Sequence, residues 1–146
     1  GIRLHGAGSP DGLVQHGRVA SLLSSALAYV HLKSSDAPGY SLYEALASAC
    51  PVICTRRLIW RCRMQELFHP EETCLVFDRE THEGLSDDDV RSCTREVSAA
   101  LERLRDPKEN QRIGQNGREC LRKIMWSENN AFDVDSFKQF MKRCFP

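Results

Sequence analysis

Residues 36–54, "DAPGYSLYEALASACPVIC", read as a tight turn, an amphipathic helix and a buried strand in immediate succession. Pro38-Gly39 brings the backbone round sharply, because proline fixes φ and glycine accepts conformations closed to other residues. Leu42, Ala45, Leu46 and Ala49 recur at the spacing of one helical face. Segment 51–55 follows as a short apolar run, the composition of a strand buried on both faces. An acid stands on each side of the turn, Asp36 before it and Glu44 inside the helix, and a helix that merely packs needs neither.

Working outward, segments 2–5, 27–32 and 74–77 share the strand-like character of 51–55. Val14, Val19, Leu22, Leu23 and Ala26 supply a further apolar helical face between the first two. Strands alternating with helices predict an α/β fold, with a parallel sheet flanked by helices. After Phe77 only helices are expected. Ser86 is an N-cap with Asp89 three residues on, and Val90, Val97, Leu101 and Leu104 form the face behind it. Asp106-Pro107, with Glu109 following, starts another helix, whose inner face is Ile113, Gly117, Cys120, Leu121 and Ile124. A last helix is expected over 133–144, with Phe137, Phe140, Met141 and Cys144 on one side. The chain of 146 residues thus reads as one domain, with 86–146 as its all-helical closing segment.

Composition narrows the function. Lysine plus arginine and aspartate plus glutamate each number 20, so nothing favours a general nucleic-acid footprint or attraction to an anionic membrane. No apolar run approaches the roughly 20 residues of a membrane span. The seven cysteines include no Cys-x-x-Cys pair, and Cys50, Cys54 and Cys74 fall in apolar runs. Reduced thiols and a cytoplasmic location are the expectation. The chain opens on Gly1 with no signal peptide, as a piece of a longer protein would. The five histidines share no triad spacing with the carboxylates and read as structural or surface residues.

The turn lies after the second expected strand, where ligands of open α/β sheets sit. The amides of Gly39, Tyr40, Ser41 and Leu42 would then point outward at a helix start, which is an anion site. Glu44 is within reach of a sugar hydroxyl there, and Asp36 approaches the same cleft from the other side. The bland alternative makes Asp36 a turn residue and Glu44 an ordinary first-turn acid.

The surrounding pattern resembles the C-terminal, nucleotide-sugar-binding domain of retaining GT-B glycosyltransferases, the family that includes sucrose and glycogen synthases. Ser34, Ser35, Asp36, Gly39, Glu44, Ala45, Ala47, Pro51 and Val52 fall on its signature in order. Glu66 matches the acid of the next helix, and "TCLVF" matches a later strand. "LRDPKENQRIGQNGRECLRKIMWSE" resembles the closing helices. The resemblance implies a Rossmann-like domain that binds a nucleoside-diphosphate sugar and transfers the sugar to an acceptor with retention. Glu44 would hold the ribose hydroxyls, and the amides of Tyr40, Ser41 and Leu42 the diphosphate. Asp36 would be the catalytic acid beside the donor sugar, and Gly6, Ala7 and Gly8 would border the base. It implies no cofactor and no essential metal beyond the donor substrate.

Several positions depart from that pattern. Asp36 is one methylene shorter than the usual glutamate, and Ala49 adds a methyl where the family has glycine. The Gly-Gly after the proline-led strand gives way to "RRLIWRCRMQE". Arg56, Arg57, Arg61 and Arg63 either contact phosphate or an acidic acceptor, or form a solvated basic face; Trp60 reads as a packing residue. The domain's first strands, with their phosphate-binding Arg and Lys, and the acceptor-binding N-terminal domain find no match here, as in a partial domain or truncated relative; another chain, exchange between copies or a rearranged strand order is expected to complete the sheet. Two other functions stay open: a catalytically inactive α/β binding or scaffolding domain, and a sugar-nucleotide epimerase of the same architecture.

Overall fold

A computed structural model describes residues 15–32, 40–78 and 86–125. Helix α1 (His16–Ser24) leads into strand β1 (Tyr29–His31), helix α2 (Tyr40–Ala47) and strand β2 (Val52–Thr55). Helix α3 (Arg56–Arg61), strand β3 (Leu75–Phe77) and helices α4 (Asp87–Arg103) and α5 (Pro107–Met125) follow. The strands form one parallel sheet in the order β1-β2-β3, with Tyr29 opposite Val52 and Ile53 opposite Leu75. The expected α/β fold with helices flanking a parallel sheet is the observed one. The expected strand 2–5 and helix 133–144 lie outside the described residues.

All four residues of the central strand are buried, and its three apolar ones alternate between two apolar clusters. Val52 and Cys54 join Leu23, Leu42, Ala45, Leu46, Leu58 and Leu67 on the side of α1, α2 and α3. Ile53, with Leu75 and Phe77, faces the other way, against Val97, Ala100, Leu101 and Leu104 of α4 and its end. Helices on both faces explain why the strands read as unbroken apolar runs. Val90 falls in the first turn of α4 and is 50% exposed, so the packed face of that helix begins later, at Cys93.

The ends of the helices are specified locally. Ser86 caps α4 by accepting from the Asp89 amide while the Asp89 carboxylate accepts from the Ser86 amide, the reciprocal box expected from the sequence. Asp106 accepts from the Lys108 amide at the start of α5. Helix α3 was not foreseen. Thr55 caps it by accepting from the Leu58 amide at 3.1 Å, and Leu58 and Ile59 bury its inner side. It ends before Gln65, so Glu66 lies in a turn rather than on the helix the resemblance implied.

Helices α2 and α3 close in the same way. The Cys50 amide donates to the Ala45 carbonyl and the Ala49 amide to that of Leu46, with Ala49 at φ 53°. In α3, Met64 and Arg63 repeat those bonds to Ile59 and Trp60, with Arg63 at φ 52°. Both are Schellman endings, whose left-handed position favours glycine. Ala49 therefore differs from the family's glycine in backbone strain, not only in one added methyl.

Helix α5 crosses the amino edge of the sheet. Asn110 donates to the Leu27 carbonyl, Arg112 to that of Glu71 and Asn116 to that of Glu72. A Cβ on Gly114 would lie 2.1 Å from the Ala49 carbonyl oxygen, and one on Gly117 would lie 2.8 Å from Leu46 Cδ2. Glycine lets α5 seat directly on the end of α2.

Candidate functional site

Because the strands are parallel, their carboxyl ends share one edge, opposite α5. That edge holds His31 at the end of β1, Thr55 at the end of β2 with Arg56 after it, and Asp78 after β3. Helix α2 begins beside it. Ser41 and Leu42 fall in the first turn of α2, where no carbonyl within the helix can receive their amides. Leu42 offers only its backbone, since its side chain is fully buried, while Tyr40 is 56% exposed. Glu44 follows within the helix and is half-buried. Tyr40, Ser41, Leu42 and Glu44 are thus brought together on one short helix. Asp36, Gly39, Gly6 and Ala7, the other expected site residues, lie outside the described residues, as does Gly8.

A side-chain chain that the sequence did not reveal ties this helix to the sheet. The Tyr29 hydroxyl lies 2.8 Å from Ser41 Oγ and 3.4 Å from His31 Nδ1. Tyr29 and His31 are two residues apart on β1, hence on the same face, and their ring centroids are 6.0 Å apart. His31 is buried. Among the histidines whose side chains are described, it is the one drawn into a polar network at the carboxyl edge. Its only sequence signal was the spacing Tyr-x-His in an otherwise apolar strand.

The arginine-rich segment resolves differently. Arg56 pairs with Asp78 across the ends of β2 and β3, with both side chains largely exposed. Exposed pairs of this kind contribute about 0–1 kcal/mol. Arg61 and Arg63 are exposed as well, and Arg57 is half-buried. Trp60 is 66% exposed and does not pack as expected, because Leu58 and Ile59 take the inward positions of α3.

Two buried thiols, Cys50 and Cys74, are poor nucleophiles. Burial pushes Cys50 up to about 11. A hydrogen bond with Cys54, reinforced by burial, raises Cys74 far above the ordinary thiol range. Protonated and enclosed, they serve as small apolar fillers. Among the described residues no group of three or more His, Cys, Asp or Glu side chains gathers as a metal site would. Nor is any described helix long and apolar enough to cross a membrane.

Residues 1–129 match a protein family described as glycosyl transferase-like. The chain belongs to that family. The match carries a general role in glycosyl transfer, which by its nature involves a sugar donor and an acceptor. No curated protein matches this glycosyl transferase-like chain.

Proposed function

We propose that this chain is the donor-binding part of a retaining GT-B glycosyltransferase, holding a nucleoside-diphosphate sugar at the carboxyl edge of its sheet. The observation that carries the proposal is the β1–α2 unit, in which the first turn of α2 and Glu44 stand beside the end of a parallel strand. The diphosphate rests on the amides of Tyr40, Ser41 and Leu42, where the helix dipole favours negative charge. Glu44 accepts hydrogen bonds from the ribose hydroxyls. Asp36 serves the donor sugar, and Gly6 and Ala7 border the base.

Bond cleavage at the anomeric carbon leaves charge on the departing diphosphate. Fixed dipoles at the helix start are aimed at that charge and need no reorganisation as it develops. The acceptor is bound by a further domain or by a second chain. Free cysteines, with Cys50, Cys54 and Cys74 buried, fit a reducing, cytoplasmic setting.

A thermal-shift titration with UDP, GDP, ADP and their sugar conjugates tests the proposal. At 100 times its dissociation constant, a ligand of the folded state stabilises it by about 2.7 kcal/mol. The expected result is stabilisation by one base, lost in Glu44→Ala. Equal affinity in Glu44→Ala would contradict the ribose assignment.

The second reading is a binding or scaffolding domain without catalysis. The helix α3 that replaces the family's Gly-Gly, with Arg56 occupied by Asp78, is the observation that favours it. Donor stabilisation without sugar transfer, in the presence of its partner domain, would select it.

A further inference from the structure

We infer that Tyr29 and His31 form a hydrogen-bond relay that points the Ser41 hydroxyl at the donor diphosphate, making Tyr29 and His31 positioning residues of the glycosyl transfer site. The inference rests on the donor-site reading above and adds to it a direction of hydrogen bonding.

Three polar groups stand in series: His31 Nδ1, the Tyr29 hydroxyl 3.4 Å away, and Ser41 Oγ a further 2.8 Å on. A tyrosine hydroxyl has one proton, and a serine hydroxyl has one. If Ser41 spends its proton on a phosphate oxygen, the hydrogen bond between Ser41 and Tyr29 requires Tyr29 to donate. Tyr29 then has only acceptor capacity left for His31, so Nδ1 must carry a proton. The series runs one way, from Nδ1–H to the tyrosine oxygen, from the tyrosine O–H to Ser41, and from Ser41 outward. Each donor polarises the next, which strengthens the outermost bond where water is scarce.

The surroundings favour such a device at this place. Tyr29 belongs to the strand and Ser41 to the first turn of α2, so the bond fixes the helix start against the sheet. Tyr29 is itself held by its amide, which donates to the Pro51 carbonyl at 2.8 Å. An unsupported serine at a helix start would sample several rotamers. One held from behind presents its proton without that loss when the anion arrives.

The test compares wild type, Tyr29→Phe, Ser41→Ala, the double variant and Ser41→Thr, titrated with UDP, GDP and ADP and with the corresponding nucleosides. Tyr29→Phe keeps the ring and removes only the hydroxyl, and thermal melts check that each variant folds. For the diphosphate that binds wild type, Tyr29→Phe and Ser41→Ala should each lose about 5–10-fold in affinity. The double variant should lose no more than either single one. Nucleoside affinity should stay within about twofold, and Ser41→Thr should restore diphosphate binding. Ring 15N shifts of the diphosphate-bound protein should put the His31 proton on Nδ1.

Wild-type diphosphate affinity in Tyr29→Phe, while Glu44→Ala binds weakly, would overturn the relay and leave the donor site standing. Strictly additive losses, or a His31 proton on Nε2 alone, would overturn it as well. Failure of all three diphosphates to bind wild type would overturn the donor-site reading and the relay with it.

Discussion

The two edges of the sheet are built to opposite ends. At the amino edge, α5 lies across the turns before all three strands, fastened by Asn110, Arg112 and Asn116 to backbone carbonyls. Gly114 and Gly117 remove the side chains that would hold it off. At the carboxyl edge, polar side chains of His31, Ser41, Arg56 and Asp78 collect, and Leu32, Tyr40 and Trp60 stay largely exposed. One edge is closed by packing, and the other gathers amides, hydroxyls and an acid around the start of one helix. On the proposed donor site, stability and function separate along the strand direction, and substitutions at the two edges should fail in different ways.

The largest effect belongs to the amino edge. Gly114→Ala drives a Cβ into the Ala49 carbonyl at 2.1 Å, a backbone atom that cannot swing aside. Overpacking of this kind costs about 1–3 kcal/mol, and this contact belongs at the upper end even after the helical gain of alanine over glycine. Gly117→Ala meets the tip of Leu46, which can rotate, and the Thr73 carbonyl oxygen at 3.1 Å, which has to give by a few tenths of an ångström, so it should cost less than Gly114→Ala. Urea midpoints of the two variants should differ clearly. Equal midpoints would remove the direct seating of α5 on α2 from the account.

At the carboxyl edge the order reverses. Glu44→Ala should lower donor affinity about 10–100-fold, the size of a charge-assisted hydrogen bond. Its effect on folding should be under about 1 kcal/mol, as for a substitution outside the core. Isothermal titration beside a melt separates the two. A Glu44→Ala chain that binds normally but melts early would put Glu44 in the scaffold.

Ala49→Gly is a smaller test, where α2 ends. The left-handed φ of 53° costs an alanine about 1–2 kcal/mol, while glycine brings about 0.5–1 kcal/mol of extra chain entropy to be lost on folding. The net expectation is a gain of about 0.5–1 kcal/mol in chemical denaturation. A loss would mean that the methyl contributes more by packing than the strain removes.

The last test concerns pH. Hydrogen bonds from Arg112, then Arg103, hold the Glu109 carboxyl at about 2, below its ordinary 4.5. A depressed carboxyl stabilises the fold above its unfolded value and loses that contribution as pH falls from about 4.5 toward 2. Glu109→Gln should flatten that part of the stability profile, measured by urea midpoints between pH 5 and pH 2.5. An unchanged acid limb would show that other carboxylates set it.

Much of this was legible in the sequence because local rules decided it. The buried parallel strands had to be apolar on both faces, the Ser86–Asp89 box announced α4, and Asp106-Pro107 announced α5. The start of α2 was legible for the same reason. What escaped depends on partners distant in sequence. Gly114 inside a helix looks like a weak position until the Ala49 carbonyl is set against it. The Tyr29–Ser41 bond joins residues that only the β1–α2 packing brings together. Helix α3 was hidden because six residues are too few to show a period, and its cap, Thr55, is also the last residue of a strand.

The central claim, that the donor nucleotide sits at the carboxyl edge, is tested most directly by following backbone amides in 1H–15N spectra during titration with UDP, GDP and ADP. One nucleotide should shift the amides of Tyr40, Ser41, Leu42 and Glu44 saturably, while those of Asn110, Gly114 and Gly117 stay still. Shifts centred on α5, or none at the start of α2 with any of the three, would contradict it.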